Sequence, residues 1–524
     1  MTNGMIKNPV LKGFNPDPCI VRVEDTYYIV VSSFEWLPGL RVYESKDLAN
    51  WAHRCDILTN QVDLRGNPRN CSIWAPQLSY HDNLFYLVYT DVKSTKRPFK
   101  DVHNFLIVAE SIDGPWSEPV YLNSSGFDPS LFHDDDGRKW LLNALWDYRI
   151  LEGNKSSGIV MQEYDAKQQR LIGEPVKIFD CTPLKKTEAP HIYKQNGYYY
   201  LITAEGGTGT GHAVTVARSK QLLGAYEVDP QNPMLTSRDH PELPLQCAGH
   251  GSLVQTPGGE WYMAHLCTRP IEGKYAILGR ETALQQVYWN EEGWLRLTAG
   301  GNSPQLETPA PAGTSVSTLQ SQIQFEDHFA GPKLNKTWNT LRILEDESWC
   351  SFTARPGYLR LMAGESIQSL FQHHIIAIRQ TDTCFRAETS LEYDPTSYLQ
   401  MAGLLLYLND ENYLYAYASH EEGQGKVLRM MRNEEDAFSL VPETTALPHA
   451  DAGPIHLAVE VNETKAQFYY HLGDDAAWQP LYDEQNISFL SGGFTGNFVG
   501  IAAHDMQQYK GSYADFARFC YQGK

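Results

Sequence analysis

Basic residues are scarce relative to acidic ones: 43 Lys and Arg face 63 Asp and Glu, a formal net charge of −20 at pH 7 over 524 residues. A surface this negative repels phosphate backbones and anionic lipid, so nucleic-acid and membrane-surface binding are excluded and neutral substrates favoured. Long apolar runs are also missing. Nothing approaches the roughly 18 residues of a bilayer span, and Met1 to Pro18 holds no stretch of signal-peptide length. Nine cysteines are odd in number, scattered and without metal-ligand spacing. Reduced thiols and a cytoplasmic location are the expectation. Helix-length periodicity is absent too, which points to an all-β chain.

Aromatic residues are abundant: 30 Tyr, 20 Phe and 12 Trp. They suit half-buried pleated surfaces and the apolar faces of sugar rings. Five segments share a polar turn, an aromatic pair or near-pair and an apolar strand, around Tyr27-Tyr28, Phe85-Tyr86, Trp140, Tyr198-Tyr199-Tyr200 and Trp261-Tyr262. They recur at intervals of about 54 to 62 residues, somewhat longer than a propeller blade of ~40 to 50. Five blades follow. About a dozen residues before each aromatic segment stands a second shared pattern: Asp17-Pro18-Cys19, Trp74-Ala75-Pro76, Asp128-Pro129-Ser130, Glu188-Ala189-Pro190 and His250-Gly251-Ser252. Because the first strand of a propeller blade lines the central axis, the leading residues are expected at equivalent positions in a ring at one end of the channel.

From about Thr298 the chain becomes rich in Pro, Gly, Ser and Thr, which is linker composition. Beyond Phe325, short alternating runs such as Gly403 to Tyr407 and His456 to Val461 are separated by turn signals and read as a two-sheet sandwich. The division is a five-bladed β-propeller over 1–300, a linker over 301–324 and a β-sandwich of jelly-roll, concanavalin-like type over 325–524.

Three carboxylates converging on one axis repel, and repulsion raises at least one pKa. Glycoside hydrolysis needs such a set: an acid to protonate the leaving oxygen and a carboxylate to attack the sugar or activate water. An Asp before Pro is ordinarily a turn residue, but three acids at equivalent repeat positions argue against three unrelated turns. His250 fits a structural histidine or a substrate or cation contact equally, and Trp74 fits core packing or a sugar platform. Lys185-Lys186 reads as a solvated loop rather than a charge partner.

The motifs Asn15-Pro16-Asp17-Pro18, Ile73-Trp74-Ala75-Pro76, Gly126-Phe127-Asp128, Thr187-Glu188-Ala189-Pro190, Ala204-Glu205-Gly206-Gly207-Thr208, Gly249-His250 and Leu278-Gly279-Arg280 run in order through the propeller, and Phe494 to Gly500 lies in the sandwich. Together they resemble the β-xylosidases of glycoside hydrolase family 43. The resemblance implies that Asp17 is the general base, Glu188 the general acid and Asp128 the acid that adjusts Glu188. It implies that Arg280 holds glycone hydroxyls, that Phe34, Trp74, Ala75, Phe127 and Thr208 wall the pocket, and that Phe498 closes it from the sandwich. His250 corresponds to a channel histidine that contacts a hydrated divalent cation such as Ca2+ in some relatives, the chemistry itself requiring no cofactor. Where the family pattern leads us to expect Gly after the general acid, this chain has Ala189.

The implied activity is exo-acting 1,4-β-xylosidase action on xylooligosaccharides, with xylose released by inversion in a homo-oligomer, dimer or tetramer. An inverting pair stands about 6.5 to 9.5 Å apart to admit a water. An α-L-arabinofuranosidase, alone or as a second activity, would use the same acids. A non-catalytic sugar-binding propeller would bind oligosaccharide without cleaving it. A retaining fructosidase-like propeller is disfavoured, because Arg238-Asp239 is followed by His240 rather than Pro.

Overall fold

The structure is a computed structural model describing residues 4–314, 316, 324–435, 437–441, 445–447, 453–473, 476–507 and 511–524. Every regular element among the described residues is a β-strand. Five antiparallel units, four of four strands and one of five, form the propeller, each drawn from one continuous stretch of the chain. Their innermost strands are Cys19–Val23, Ser72–His81, Gly126–His133, Glu188–Gln195 and Gln246–Gln255. The aromatic segments form the second strand of every blade, from Thr26–Val30 to Trp261–Thr268.

Burial follows position in the blade. Inner strands such as Ser72–His81 are buried along most of their length, whereas the outermost strand of the third blade, Arg170–Phe179, is largely exposed. Inner strands are covered on both faces although they carry polar residues, as in Ser72–His81 and Gln246–Gln255, and the solvated faces lie nearer the rim.

Because each blade is built from one continuous stretch of the chain, no blade joins the two ends of the propeller, and the ring must close through contacts between blades. At least one hydrogen bond links each inner strand to the next. Leu78 N–H donates to Cys19 Sγ, Leu131 N–H to Gln77 Oε1, Ser130 Oγ to the Pro190 carbonyl, Leu253 N–H to Tyr193 Oη and Ile20 N–H to Ser252 Oγ. An outer clasp adds to this: Met5–Lys7 pairs with Glu307–Pro309, and Thr236 N–H donates to the Asn302 carbonyl. The first part of the segment read as a linker is thus fastened to the propeller by backbone pairing. Residues 315 and 317–323 of that segment lie outside the described residues.

The sandwich has two antiparallel sheets around an apolar core that includes Trp338, Leu359, Phe385, Leu404, Phe468, Ile501 and Phe519. One of these sheets extends into the propeller. Trp36–Leu37, from the first blade, adds an edge strand in which Leu37 pairs with Thr340 and Trp36 with Leu341. A second apolar cluster is shared by both domains, with Phe14, Phe34, Trp36 and Trp74 from the propeller and Leu341, Ile375, Tyr407 and Phe498 from the sandwich. The two domains are packed through a common core, which lets a sandwich loop take part in a propeller site.

Candidate active site

A cavity of about 480 Å³ opens at one end of the propeller axis. Its lining includes Asp17, Asp128 and Glu188 together with Phe34, Trp74, Phe127, Thr208, His250 and Arg280. The three acids come from blades one, three and four, at the entry of each inner strand.

The local backbone explains why they point inward. Asp17, Asp128 and His250 each adopt φ of 54°, in the left-handed region that Asp, Asn and His tolerate better than most residues. In blades two and four the left-handed residue is instead Ala75 (33°) or Ala189 (49°). Strand pairing skips two residues at this point, between Trp74 and Gln77, Phe127 and Ser130, Glu188 and His191, and Gly249 and Ser252. The true equivalents are therefore Asp17, Ala75, Asp128, Ala189 and His250. Trp74 and Glu188 stand one residue earlier, beside Phe127, which corrects the five-membered ring expected from sequence. A bulge of this kind re-aims side chains next to a site, and here it gives Glu188 a different approach to the cavity from Asp17 and Asp128.

Asp17 is held on every side. Its Oδ1 accepts from Arg280 Nη1 at 2.7 Å, its Oδ2 accepts from Ser32 Oγ at 2.7 Å, and His250 Nδ1 lies 3.6 Å from Oδ1. Ser32 Oγ in turn accepts from Ala75 N–H at 2.7 Å. Burial alone would push the Asp17 carboxyl up, but Arg280, His250 and the Ser32 hydroxyl outweigh it and hold it below the usual carboxylate value. Burial holds His250 below the ordinary imidazole range, against the opposing pull of Asp17.

Asp128 and Glu188 have poorer company. Asp128 Oδ2 accepts one backbone bond, from Ala189 N–H at 3.1 Å. Burial drives Asp128 well above the carboxylate range, and Glu188 and Asp17 drive it further. Burial also raises Glu188, against the opposing pull of Lys100 and Lys186. Asp128 and Glu188 are thus both biased toward the protonated form and Asp17 toward the ionised one.

Glu188 is anchored from behind. Glu205 is fully buried and accepts from Thr182 N–H at 2.9 Å, from Thr187 Oγ1 at 2.6 Å and from Thr182 Oγ1, which pins the segment leading into Glu188. Arg280 donates Nε to the Phe494 carbonyl at 2.9 Å and faces Thr208 Oγ1 at 3.5 Å. Its buried Nη2 has no protein partner, leaving a donor for a ligand hydroxyl.

Two expected wall residues lie elsewhere. Phe498 is fully buried in the shared core, stacked on Trp36 at 3.7 Å between ring centroids, because it begins the strand Phe498–Asp505 and faces inward. Phe494, in the loop before that strand, is the sandwich aromatic that lines the cavity, 6.1 Å from Phe34 and 5.7 Å from Trp74. Ala75 is absent from the lining, and its contribution is the N–H that orients Ser32. Lys186, read as a solvated loop residue, does line the cavity.

Sequence reading also missed Ser32, Arg97, Lys100, Trp146, Asn154 and His212, of which all but Ser32 line the cavity. Among the described residues no group of three or more His, Cys, Asp or Glu is arranged to hold a metal ion. His250 offers one imidazole, turned toward Asp17, so these residues do not coordinate a divalent cation directly, and a hydrated cation would be met through its water.

Comparison with known proteins agrees with this geometry. Residues 6–295 match the glycosyl hydrolases family 43, and residues 326–522 match the β-xylosidase C-terminal concanavalin A-like domain. A β-xylosidase of Bacillus subtilis (strain 168) is 43% identical, covering 99% of this chain and 100% of its own. A xylosidase/arabinosidase 43B of Humicola insolens is 44% identical over 96% of this chain and 95% of its own. The crystal structure of a xylan β-1,4-xylosidase from Bacillus halodurans C-125 superposes with a TM-score of 0.95 at 46% identity, covering 99% of this chain and all of that one. With both domains matched over nearly their whole length, and paired acids gathered in one cavity, the chain is a glycoside hydrolase belonging to family 43.

Proposed function

We propose that the protein is an exo-acting 1,4-β-xylosidase that releases xylose from the non-reducing ends of xylooligosaccharides with inversion. The observation that carries this reading is the unequal treatment of carboxylates within one cavity, with Asp17 bonded to Arg280 and Ser32 and held low while burial pushes Asp128 and Glu188 up. A water beside Asp17 gives up a proton to it as its oxygen forms a bond to the anomeric carbon. Glu188 passes its proton to the glycosidic oxygen as the bond from that oxygen to the anomeric carbon breaks. Asp17 ends protonated and Glu188 ionised, and exchange with solvent restores both. Arg280 Nη2 is suited to a glycone hydroxyl, and the Phe494 loop walls the cavity from the sandwich side, in keeping with an exo mode.

An α-L-arabinofuranosidase activity beside the first is the second reading, favoured by the name of the Humicola relative. Initial rates on nitrophenyl β-xyloside and nitrophenyl α-arabinofuranoside measure the balance. A cytoplasmic location, supported by nine unpaired cysteines, and a dimer or tetramer complete the reading.

Asp17→Ala and Glu188→Ala should each lower xylobiose turnover by about a thousandfold or more while leaving the thermal unfolding profile intact. Proton NMR during turnover should reveal α-xylose before β-xylose. Initial β-xylose, or near-normal rates in either variant, would refute the assignment.

A further inference from the structure

The cavity is acidic in its depth and basic at its mouth. Asp17 and Asp128 are buried, and Arg280 is bonded to Asp17. The remaining cationic lining residues are Arg97, Lys100 and Lys186, of which Arg97 and Lys186 are exposed. Among the described residues neither of these two has a hydrogen-bond or ion-pair partner. Lys100 lies among rings, its Nζ 4.0 Å from the Phe127 centroid and 4.3 Å from that of Trp146, and within electrostatic reach of Glu188 and Asp128 without a direct ion pair. Lys186 is held over the cavity by a strained segment in which Lys185 and Lys186 adopt φ of 60° and 56°.

Cations sharing one cavity mouth repel one another, and in a chain carrying −20 overall there is no shortage of acids that could have bonded them directly. Nor do they help the general acid, since a cation beside Glu188 favours its ionised form. Their arrangement suits an anionic ligand group instead. The neighbouring surface suits a sugar. Trp146 donates Nε1 to the Pro98 carbonyl, joining two segments that each present an exposed aromatic, Phe99 (55% exposed) and Tyr148 (53%), with ring centroids 5.2 Å apart. The Asn154 side-chain NH2, buried in the lining, has no protein acceptor and is free for a hydroxyl.

We infer that this mouth is a subsite for an aglycone bearing a carboxylate, namely a xylooligosaccharide with a uronic acid on the xylose next to the scissile bond. The aromatics take the sugar faces, and Arg97 with Lys186 takes the carboxylate, Arg97 by its planar fork. The inference rests on the xylosidase reading of the same cavity. It predicts electrostatic attraction that salt screens.

The test compares kcat/KM for xylotriose and for xylotriose carrying glucuronic acid on its middle sugar, at ionic strengths of about 20 and about 300 mM. The acidic-to-neutral ratio should be about 5 or more at low salt and fall toward one at high salt. The Arg97→Glu, Lys186→Glu double variant should lower the low-salt ratio at least about tenfold, and the milder Arg97→Ala and Lys186→Ala single variants by about threefold each. A wild-type ratio below one at low salt, or a ratio indifferent to salt and to these substitutions, overturns the inference alone. Failure of the wild-type protein to cleave xylotriose overturns the xylosidase reading and this inference with it.

Discussion

Two regions of one cavity treat buried carboxylates in opposite ways. On the blade-one side, Asp17 has a guanidinium at 2.7 Å, a hydroxyl at 2.7 Å and an imidazole at 3.6 Å, and is held below the usual carboxylate value. Across the channel, Asp128 shares the same left-handed backbone and similar burial but receives one peptide N–H and lies within electrostatic reach of Glu188. The backbone device is common, so it does not assign the roles. The company of each carboxyl does, and burial amplifies whichever way that company leans.

The sharpest way to break the contrast is to remove the cation from the Asp17 side. Arg280→Ala deprives Asp17 of its ion partner and the glycone of a donor, and kcat/KM on xylobiose should fall by about a thousandfold. The sign of the pH effect follows from the role. Activity needs ionised Asp17 and is lost as pH falls through its pKa, so a carboxyl released upward moves the acid limb of the kcat/KM profile to higher pH. An unmoved acid limb would mean that Ser32 and His250 suffice.

A smaller effect is expected from the other side. Lys100 favours ionised Glu188 and so opposes proton retention by the Asp128–Glu188 pair. In Lys100→Met that opposition disappears, and the alkaline limb, where the shared proton is lost, should move upward by less than about one pH unit. A downward movement would show that Lys100 supports the acid rather than resisting it.

The difference between the two regions was only partly legible in the sequence. Five blades could be read because each second strand carries an aromatic segment and each first strand opens on a small or Pro-bearing turn, and those signals are local. The acids were found for the same reason. Their register was not, because Trp74-Ala75-Pro76 and Glu188-Ala189-Pro190 look like the Asp-Pro turns displaced by one residue, and only the strand pairing reveals which residue occupies the bulge. Phe494 and Phe498 lie four residues apart, and the choice between them depends on where the strand begins, a boundary that alternation does not fix. Lys100 and Arg97 belong to the run Lys96-Arg97-Pro98-Phe99-Lys100, which in sequence has the character of a solvated loop. The two-residue strand Trp36–Leu37 is too short to have any propensity signal, so the sheet it completes was not legible at all.

Ala189 offers the mildest test, because it acts on the Asp128 side through the backbone alone. Its φ of 49° lies in a region where a Cβ crowds the following carbonyl, at a cost of about 1 to 2 kcal/mol. Glycine removes that crowding, which accounts for the glycine that the family pattern leads one to expect here. The opposing term is the greater freedom of glycine in the unfolded chain, about 0.4 to 1 kcal/mol. Relief of strain is the larger of the two, so Ala189→Gly should stabilise the protein by up to about 1 kcal/mol, read as a rise in Tm of about 1 to 2 °C. The peptide N–H that donates to Asp128 survives the change, so kcat/KM and the alkaline limb should remain within about twofold and about 0.2 pH units of the parent. A lower Tm would mean that the buried methyl contributes more by packing than its backbone costs. An alkaline limb displaced further than that would mean that the methyl also sets the position of Glu188, and that the proton-holding pair depends on side-chain packing as well as on the bulge.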